Sequence, residues 1–183
     1  MVPFQLHLCQ DSSPNVRVAA LDTLTQCLCL VMRLPRSDAN VFPEYVLPSI
    51  SNLAVDQATI VRISYAQNIA TLAETAVKFL EQSQFGSMDG PIPNYETELH
   101  DLHEMLSSTV MSLLTDSQVV VKQTLMESGI NKLCVFFGSQ KGNLLLPIDY
   151  CNLINFFHSI FYSKRHNSVT RYHIFKLIEC KRR

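Results

Sequence analysis

The residues whose types and spacing could do chemistry in this chain are acids and bases set at a fixed interval. Asp11 is followed by Val16 and Arg17, Asp56 by Val61 and Arg62, and Asp116 by Val121 and Lys122. Carboxylates held in this way suggest general acid–base work, provided their surroundings drive their pKa values apart. An Asp just ahead of a helix has another use: it accepts hydrogen bonds from free N–H groups at the helix start, where negative charge is favoured. The repetition is read as capping and ladder formation. His100 and His103, in HDLHE, stand at i and i+3 and could place two imidazoles on one metal. No further ligand is specified nearby, and the order differs from HExxH. The expected reading is an acidic, solvated helix face. Ser, His and Asp are all present, but no GxSxG elbow anchors a nucleophile. No catalytic, cofactor-binding or metal residue is therefore expected.

The elements that must position these residues follow from the spacing. The three Asp residues are 45 and then 60 positions apart. The first interval lies within the ~40–47 residues of HEAT and armadillo repeats; the second is lengthened by an insertion. In each repeat the Asp ends one helix or caps the next, and the Val opens the buried stripe of the second helix. The base points away from the core and pairs with its own Asp or that of the neighbouring repeat. A surface pair of this kind contributes about 0.2–1 kcal/mol, so it sets register more than stability.

The stripes run at spacings of three and four. Repeat one shows Val16, Ala20, Leu24, Cys27, Leu28 and Val31. Repeat two shows Val61, Tyr65, Ile69, Leu72, Ala76 and Leu80, with Ala66, Ala70 and Ala73 small enough for close helix approach. Repeat three shows Val121, Leu125, Ile130, Leu133 and Phe137, interrupted at Gly129. The first helices are predicted at about Pro43–Ala54, kinked by Pro48, and at about Tyr95–Leu114. Only Pro3–Cys9 serves this purpose in repeat one. The repeats span about 1–36, 40–82 and 94–138, with a loop at 83–93.

Composition agrees with helices. Hydrophobic residues make up 47% and charged residues 17%, enough to bury a core, and Gly is scarce at 5. The net charge of −1 hides an asymmetry: residues 1–140 carry 7 Lys/Arg against 14 Asp/Glu, residues 141–183 carry 8 against 2. The six cysteines form no CxxC pair and are read as reduced, mostly buried thiols. Met1–Cys9 has neither the basic start nor the apolar run of a signal peptide. The most apolar stretch, Leu144–Tyr162, is interrupted by Pro147, Asp149, Asn152, Asn155 and His158, which speaks against a membrane span of ~20 apolar residues.

Three stretches carry a family resemblance. The first is Asp11 with the SSPNVRVAALDTL that follows it, ending at Leu24. The second is FPEYVLPSISNLAVDQATIVRISYAQNIATLAETAVKF at Phe42–Phe79. The third is Tyr95–Gly138, with LHEM, VKQTLMESGI and LCVFFG. They resemble the HEAT region of the regulatory subunits of class III phosphatidylinositol 3-kinase, over about residues 6–141. The resemblance implies a protein–protein scaffold in autophagy and endosomal sorting, cytoplasmic and peripheral to endosomal and autophagic membranes. Its implied partners are the lipid kinase catalytic subunit and a Beclin-type subunit. In that family a protein-kinase-like domain precedes the solenoid and a WD-repeat propeller follows it. Here no Gly-rich phosphate loop, HRD or DFG occurs, so this chain is not expected to be an enzyme.

The expected fold is all-α: a right-handed α-α superhelix of about three HEAT hairpins over residues 1–141, with a divergent basic tail at 142–183. The tail is read as an alternative or read-through end. Its interleaved bases and aromatics leave a second possibility, a basic-tailed HEAT module that binds nucleic acid or anionic membrane; a general HEAT adaptor is a third. The nine repeat positions, from Asp11 to Lys122, are expected to be structural. No nucleic-acid partner is expected, and membrane contact is indirect.

Overall fold

The computed structural model describes residues 2–32, 41–85 and 95–129, together with Lys132, Leu133 and Phe136. The chain divides into residues 1–142 and 143–183, and every described residue lies in the first. The basic tail read from the sequence, and the loop apart from its first residues, lie outside the described residues. So do Ile130 and Phe137 of the third stripe and Cys134, Cys151 and Cys180.

The described residues form an all-α helical-repeat fold. α1 spans Val2–Leu8 and α2 Pro14–Leu30. α3, Leu47–Ile50, is preceded by a π-helical turn, Phe42–Val46, and followed by a 3-10 turn, Ser51–Val55. α4 covers Thr59–Phe85, α5 Tyr95–Leu114 and α6 Val119–Ser128. The second helices α2, α4 and α6 pack side by side with α4 in the middle. α1 leans on α2, and α5 packs on α4 and on the turns that flank α3.

Prolines explain the broken form of the second repeat's first helix. Pro14 and Pro43 sit at helix starts, where a missing N–H leaves no bond unmade. Pro48 sits inside. Its ring would press on the carbonyl four residues back, that of Glu44. The turn ahead of it is widened, so that the Leu47 N–H donates to Phe42 O, five residues back. A π turn thus absorbs the proline where the sequence predicts a kink.

Burial follows the helical stripes. All six stripe residues of α4 are buried, and so are Ala66, Ala70 and Ala73. α5 buries Leu99, Leu102, Leu106, Val110, Leu113 and Leu114. α2 departs from its predicted stripe: Leu21 and Thr25 are buried, whereas Val16, Cys27 and Val31 are only half-buried. α2 lies at one side of the described stack, so its contact face is narrower than that of α4. Phe42 and Phe79 meet edge to face at 5.2 Å and pin the π turn to α4. Tyr65 is fully buried, which pushes its phenol above the ordinary value; a hydrogen bond with Thr109 of α5 acts the other way. Burial likewise pushes the Cys9 thiol up to about 11. Cys27 and Cys29, two residues apart, look to opposite neighbours. Cys27 Sγ accepts from Gln5 Nε2 of α1 at 3.5 Å, and Cys29 Sγ lies 3.4 Å from Thr75 Oγ1 of α4.

Gly129 closes α6, its N–H donating to Leu125 O. The sequence suggests a bend there; the structure shows α6 ending at this residue and a steric reason for the glycine. A Cβ on Gly129 would lie 2.3 Å from the Ala70 Cβ, so the two helices approach at a point where neither can carry more bulk. Ser128 strengthens the same contact, its hydroxyl 3.0 Å from the Ala66 carbonyl. Gly129→Ala is expected to destabilise the chain by about 1–3 kcal/mol through overpacking. Combining it with Ala70→Gly should recover part of that loss in urea denaturation. Strictly additive effects would show that the two positions do not touch.

Candidate functional site

The repeated acids and bases come together at the joints between repeats. In each repeat the Asp carboxylate accepts the N–H two residues on: Ser13 to Asp11 at 2.7 Å, Ala58 to Asp56 at 2.8 Å and Gln118 to Asp116 at 2.7 Å. The acceptor thus serves the residue just ahead of the helix, holding the turn that aims the helix, rather than the first N–H groups of the helix itself.

The arginines cross from one repeat to the next. Arg17 Nε and Nη2 donate to the two carboxylate oxygens of Asp56, both at 2.8 Å. Its Nη1 donates to the carbonyls of Asp11 at 2.7 Å and Ser12 at 3.1 Å. Arg62 repeats the pattern one joint along. Nε and Nη2 reach Asp116 at 2.6 and 3.2 Å, and Nη1 reaches the carbonyls of Asp56 and Gln57. One guanidinium therefore ties its own turn to the carboxylate of the following turn.

These pairs are not surface pairs, and here the structure corrects the sequence reading. The side chains are only 14% and 11% exposed for Arg17 and Asp56, and 11% and 5% for Arg62 and Asp116. Arg17 and Arg62 lie along the seam instead of pointing away from the core. A bidentate, largely buried fork is stronger than an exposed pair, and each charge-assisted bond contributes about 1.5–3 kcal/mol. Val61 and Val121 are fully buried beneath this row, and Val16 is half-buried. Lys122 is half-buried, and its charge, with that of Arg62, acts on Asp116.

A second bridge between α2 and α4 has no counterpart in the repeat pattern. Asp22 Oδ1 accepts from Ser64 Oγ at 2.8 Å and Asn68 Nδ2 at 2.6 Å. The signal that could have found it is Ser64 and Asn68, polar residues at i and i+4 beside an apolar stripe. Lys132 and Glu74 join α4 at 2.7 Å, but both are about half exposed, so this pair adds little.

The histidines part company. His100 is exposed, whereas His103 is 3% exposed and meets Phe136 edge to face at 4.4 Å. The solvated face read from the sequence holds for His100, Asp101 and Glu104 but not for His103. Leu99, Leu102 and Leu106 turn His103 inward, and burial, then His100, lowers its pKa. Among the described residues no three His, Cys, Asp or Glu gather as metal ligands. A cleft of ≈ 400 Å³ opens beside Asp11, Arg17, Asp56, Ser49 and Asn52, but Arg17 is already occupied by four acceptors. Another, of ≈ 350 Å³, is walled by Glu44, Glu98, Asp101 and Glu104.

Asp116 makes the ladder sensitive to acid. Burial raises its pKa, but the Arg62 hydrogen bond, the Gln118 N–H and the charges of Arg62 and Lys122 outweigh burial and hold it below its ordinary 3.8. The unfolded chain therefore takes up this proton first. The stabilisation is complete well above pH 3.8 and is lost as pH falls through the lower folded value. Asp116→Asn is expected to lower stability at neutral pH by about 1–3 kcal/mol. It should also flatten the loss of stability below about pH 4, measured by urea denaturation across pH. An unchanged acid slope would show that the carboxylate gains nothing from folding.

The comparisons with known proteins agree on one family. The family described as PIK3R4-like, middle domain, matches residues 1–158, so the match runs past Lys141, where the charge balance changes. The chain is 35% identical to the serine/threonine-protein kinase VPS15 of Arabidopsis thaliana, over 81% of this chain and 12% of that protein. It is 32% identical to the probable serine/threonine-protein kinase vps15 of Dictyostelium discoideum, over 81% of this chain and 8% of that one. The Schizosaccharomyces pombe serine/threonine-protein kinase vps15 is also 32% identical, over 80% and 9%. The chain thus spans about a tenth of the length of the curated relatives it matches. With helical repeats joined in register and a match across most of its length, this chain belongs to the PIK3R4-like middle-domain family.

Proposed function

We propose that this chain is a protein–protein scaffold that works within a class III phosphatidylinositol 3-kinase complex in autophagy and endosomal sorting. There it helps to hold the lipid kinase catalytic subunit and a Beclin-type subunit. The chain performs no catalysis itself; any protein-kinase activity of its relatives belongs to parts outside their middle domain. It acts on the cytoplasmic side, peripheral to endosomal and autophagic membranes, and reaches the membrane through the complex. Among the described residues no helix is long and apolar enough to cross a membrane.

The observation that supports this reading is the repeated joint. Arg17–Asp56 and Arg62–Asp116 fix the register of successive hairpins with the same fork. A stack held at defined angles presents an extended side-chain surface to a partner, which is how helical-repeat proteins bind. The nine repeat positions are proposed to act by holding that surface in shape, not by touching a partner.

The tagged whole chain, mixed with purified class III lipid kinase catalytic subunit, is expected to retain it. Retention should change less than tenfold between 50 and 200 mM salt, against the ~10³–10⁵ loss that multiple phosphate contacts would show. No retention by a chain with intact helical circular dichroism would sink the proposal. A steep salt loss, with binding of nucleic acid or anionic vesicles, would move the assignment to the basic segment.

A further inference from the structure

Ser13 is followed by Pro14, the dipeptide that proline-directed protein kinases require at the acceptor and the next position. Ser13, Ala58 and Gln118 occupy the same place in the three repeats, each giving its N–H to the repeat's Asp. Only Ser13 carries a hydroxyl. As the cap of α2 it has extended backbone, φ −81° and ψ 123°, yet its side chain makes no capping hydrogen bond. A capping Ser ordinarily gives its oxygen to an N–H of the first turn. Ser12 beside it is exposed, and Ser13 is half-exposed.

We propose that Ser13 is a phosphorylation site for a proline-directed protein kinase, and that phosphate there loosens the joint between the first two repeats by drawing Arg17 away from Asp56. In the transfer, Ser13 Oγ attacks the terminal phosphorus of a nucleoside triphosphate held by that kinase. The new O–P bond forms as the bond from phosphorus to the bridging oxygen breaks. Nucleoside diphosphate leaves, and the hydroxyl proton passes to the kinase's base.

The consequences follow from the neighbours. Phosphoserine carries about 1.5 to 2 negative charges at neutral pH. It would stand beside the Asp11 carboxylate, whose Oδ1 is 2.7 Å from Ser13 N. Arg17 lies one helical turn further on, with Nη1 already at the Asp11 and Ser12 carbonyls. A guanidinium offered a near-dianion in its own repeat and a monoanion in the next is drawn to the first. The Asp56 carboxylate would lose both bonds of the fork and keep the Ala58 N–H. Entry into a kinase's extended-peptide groove requires the first turn of α2 to fray. That breaks the Val16 and Arg17 N–H bonds to Ser13 O, both 3.1 Å, at the end of the helix that opens most readily.

The test treats the whole chain with a purified proline-directed kinase and nucleoside triphosphate, then maps phosphate by mass spectrometry. Phosphate is expected at Ser13 and absent there in Ser13→Ala. Amide exchange at Ala58, on the turn that loses the fork, should quicken roughly tenfold, the equivalent of one charge-assisted bond, while the first turn of α2, with an anion at its start, should not. The melting temperature should fall by about 2–8 °C, and Asp56→Asn should blunt both effects. The site assignment is overturned if a peptide of residues 6–20 accepts phosphate at Ser13 and the folded chain does not. The loosening is overturned if the phosphorylated chain exchanges and melts as the unmodified chain does.

Discussion

A guanidinium has five N–H donors in a rigid plane, and the stack of hairpins depends on how Arg17 and Arg62 divide theirs. Two go forward to a carboxylate in the next repeat, while Nη1 goes back to two carbonyls of its own turn. A lysine could satisfy either side but not hold both in one geometry, because its ammonium is a point charge on a flexible stem. The fork therefore transmits orientation as well as attraction: if the turn of one repeat rotates, the carboxylate of the next must follow. The Asp contributes on its own side by fixing the turn through the N–H two residues on. Each joint is thus a chain of short bonds from one backbone turn to the next.

Such a joint constrains what lies beneath it. With α2, α4 and α6 in register, α4 must present contact surface on two sides, and it does so with small residues. Ala66 and Ala70 let the end of α6 approach until Gly129 has no room for a side chain. On the other side the Asp22, Ser64 and Asn68 cluster gives α2 and α4 a polar bridge well along the helices from the fork. Two bridges separated along the same pair of helices resist rotation of one against the other, which a single bridge would allow. Binding along an extended surface needs this stiffness, since flexing at every joint would add an ordering cost to association.

Much of this arrangement was legible in the sequence because it repeats. The Asp, Val and base recur, and periodicity marks the stripe of α4 and the apolar stripe of α5. What escaped depended on relations between elements. An exposed ion pair and a buried fork have the same sequence, and only the seam between turns decides that Arg17 and Arg62 lie along it. The stripe of α2 shifted to Leu21 and Thr25 because α2 has a repeat on one described side only. His103 reads as part of a polar face until α5 is placed against Phe136, after which an edge-to-face contact outweighs solvation of a neutral imidazole. Pro48 announced an irregular helix, but a kink and a widened turn both relieve its ring, and the structure has the widened turn, with Phe42 packed on Phe79.

The third set differs from the first two, and the difference is chemical. Lys122 stands where Arg17 and Arg62 stand, but its ammonium cannot form the planar fork. Its effect within the described residues is electrostatic and local, helping Arg62 to hold Asp116 ionised against burial. Asp116 therefore sits between a fork from the preceding repeat and a point charge in its own, whereas Asp56 has Arg62 behind it, bonded to its carbonyl. The two described joints share one geometry, and each carboxylate has a base on either side, Arg17 and Arg62 for Asp56, Arg62 and Lys122 for Asp116. What differs is depth: Asp116 is the more deeply buried of the two acceptors, so its charge relies more heavily on the bases that hold it.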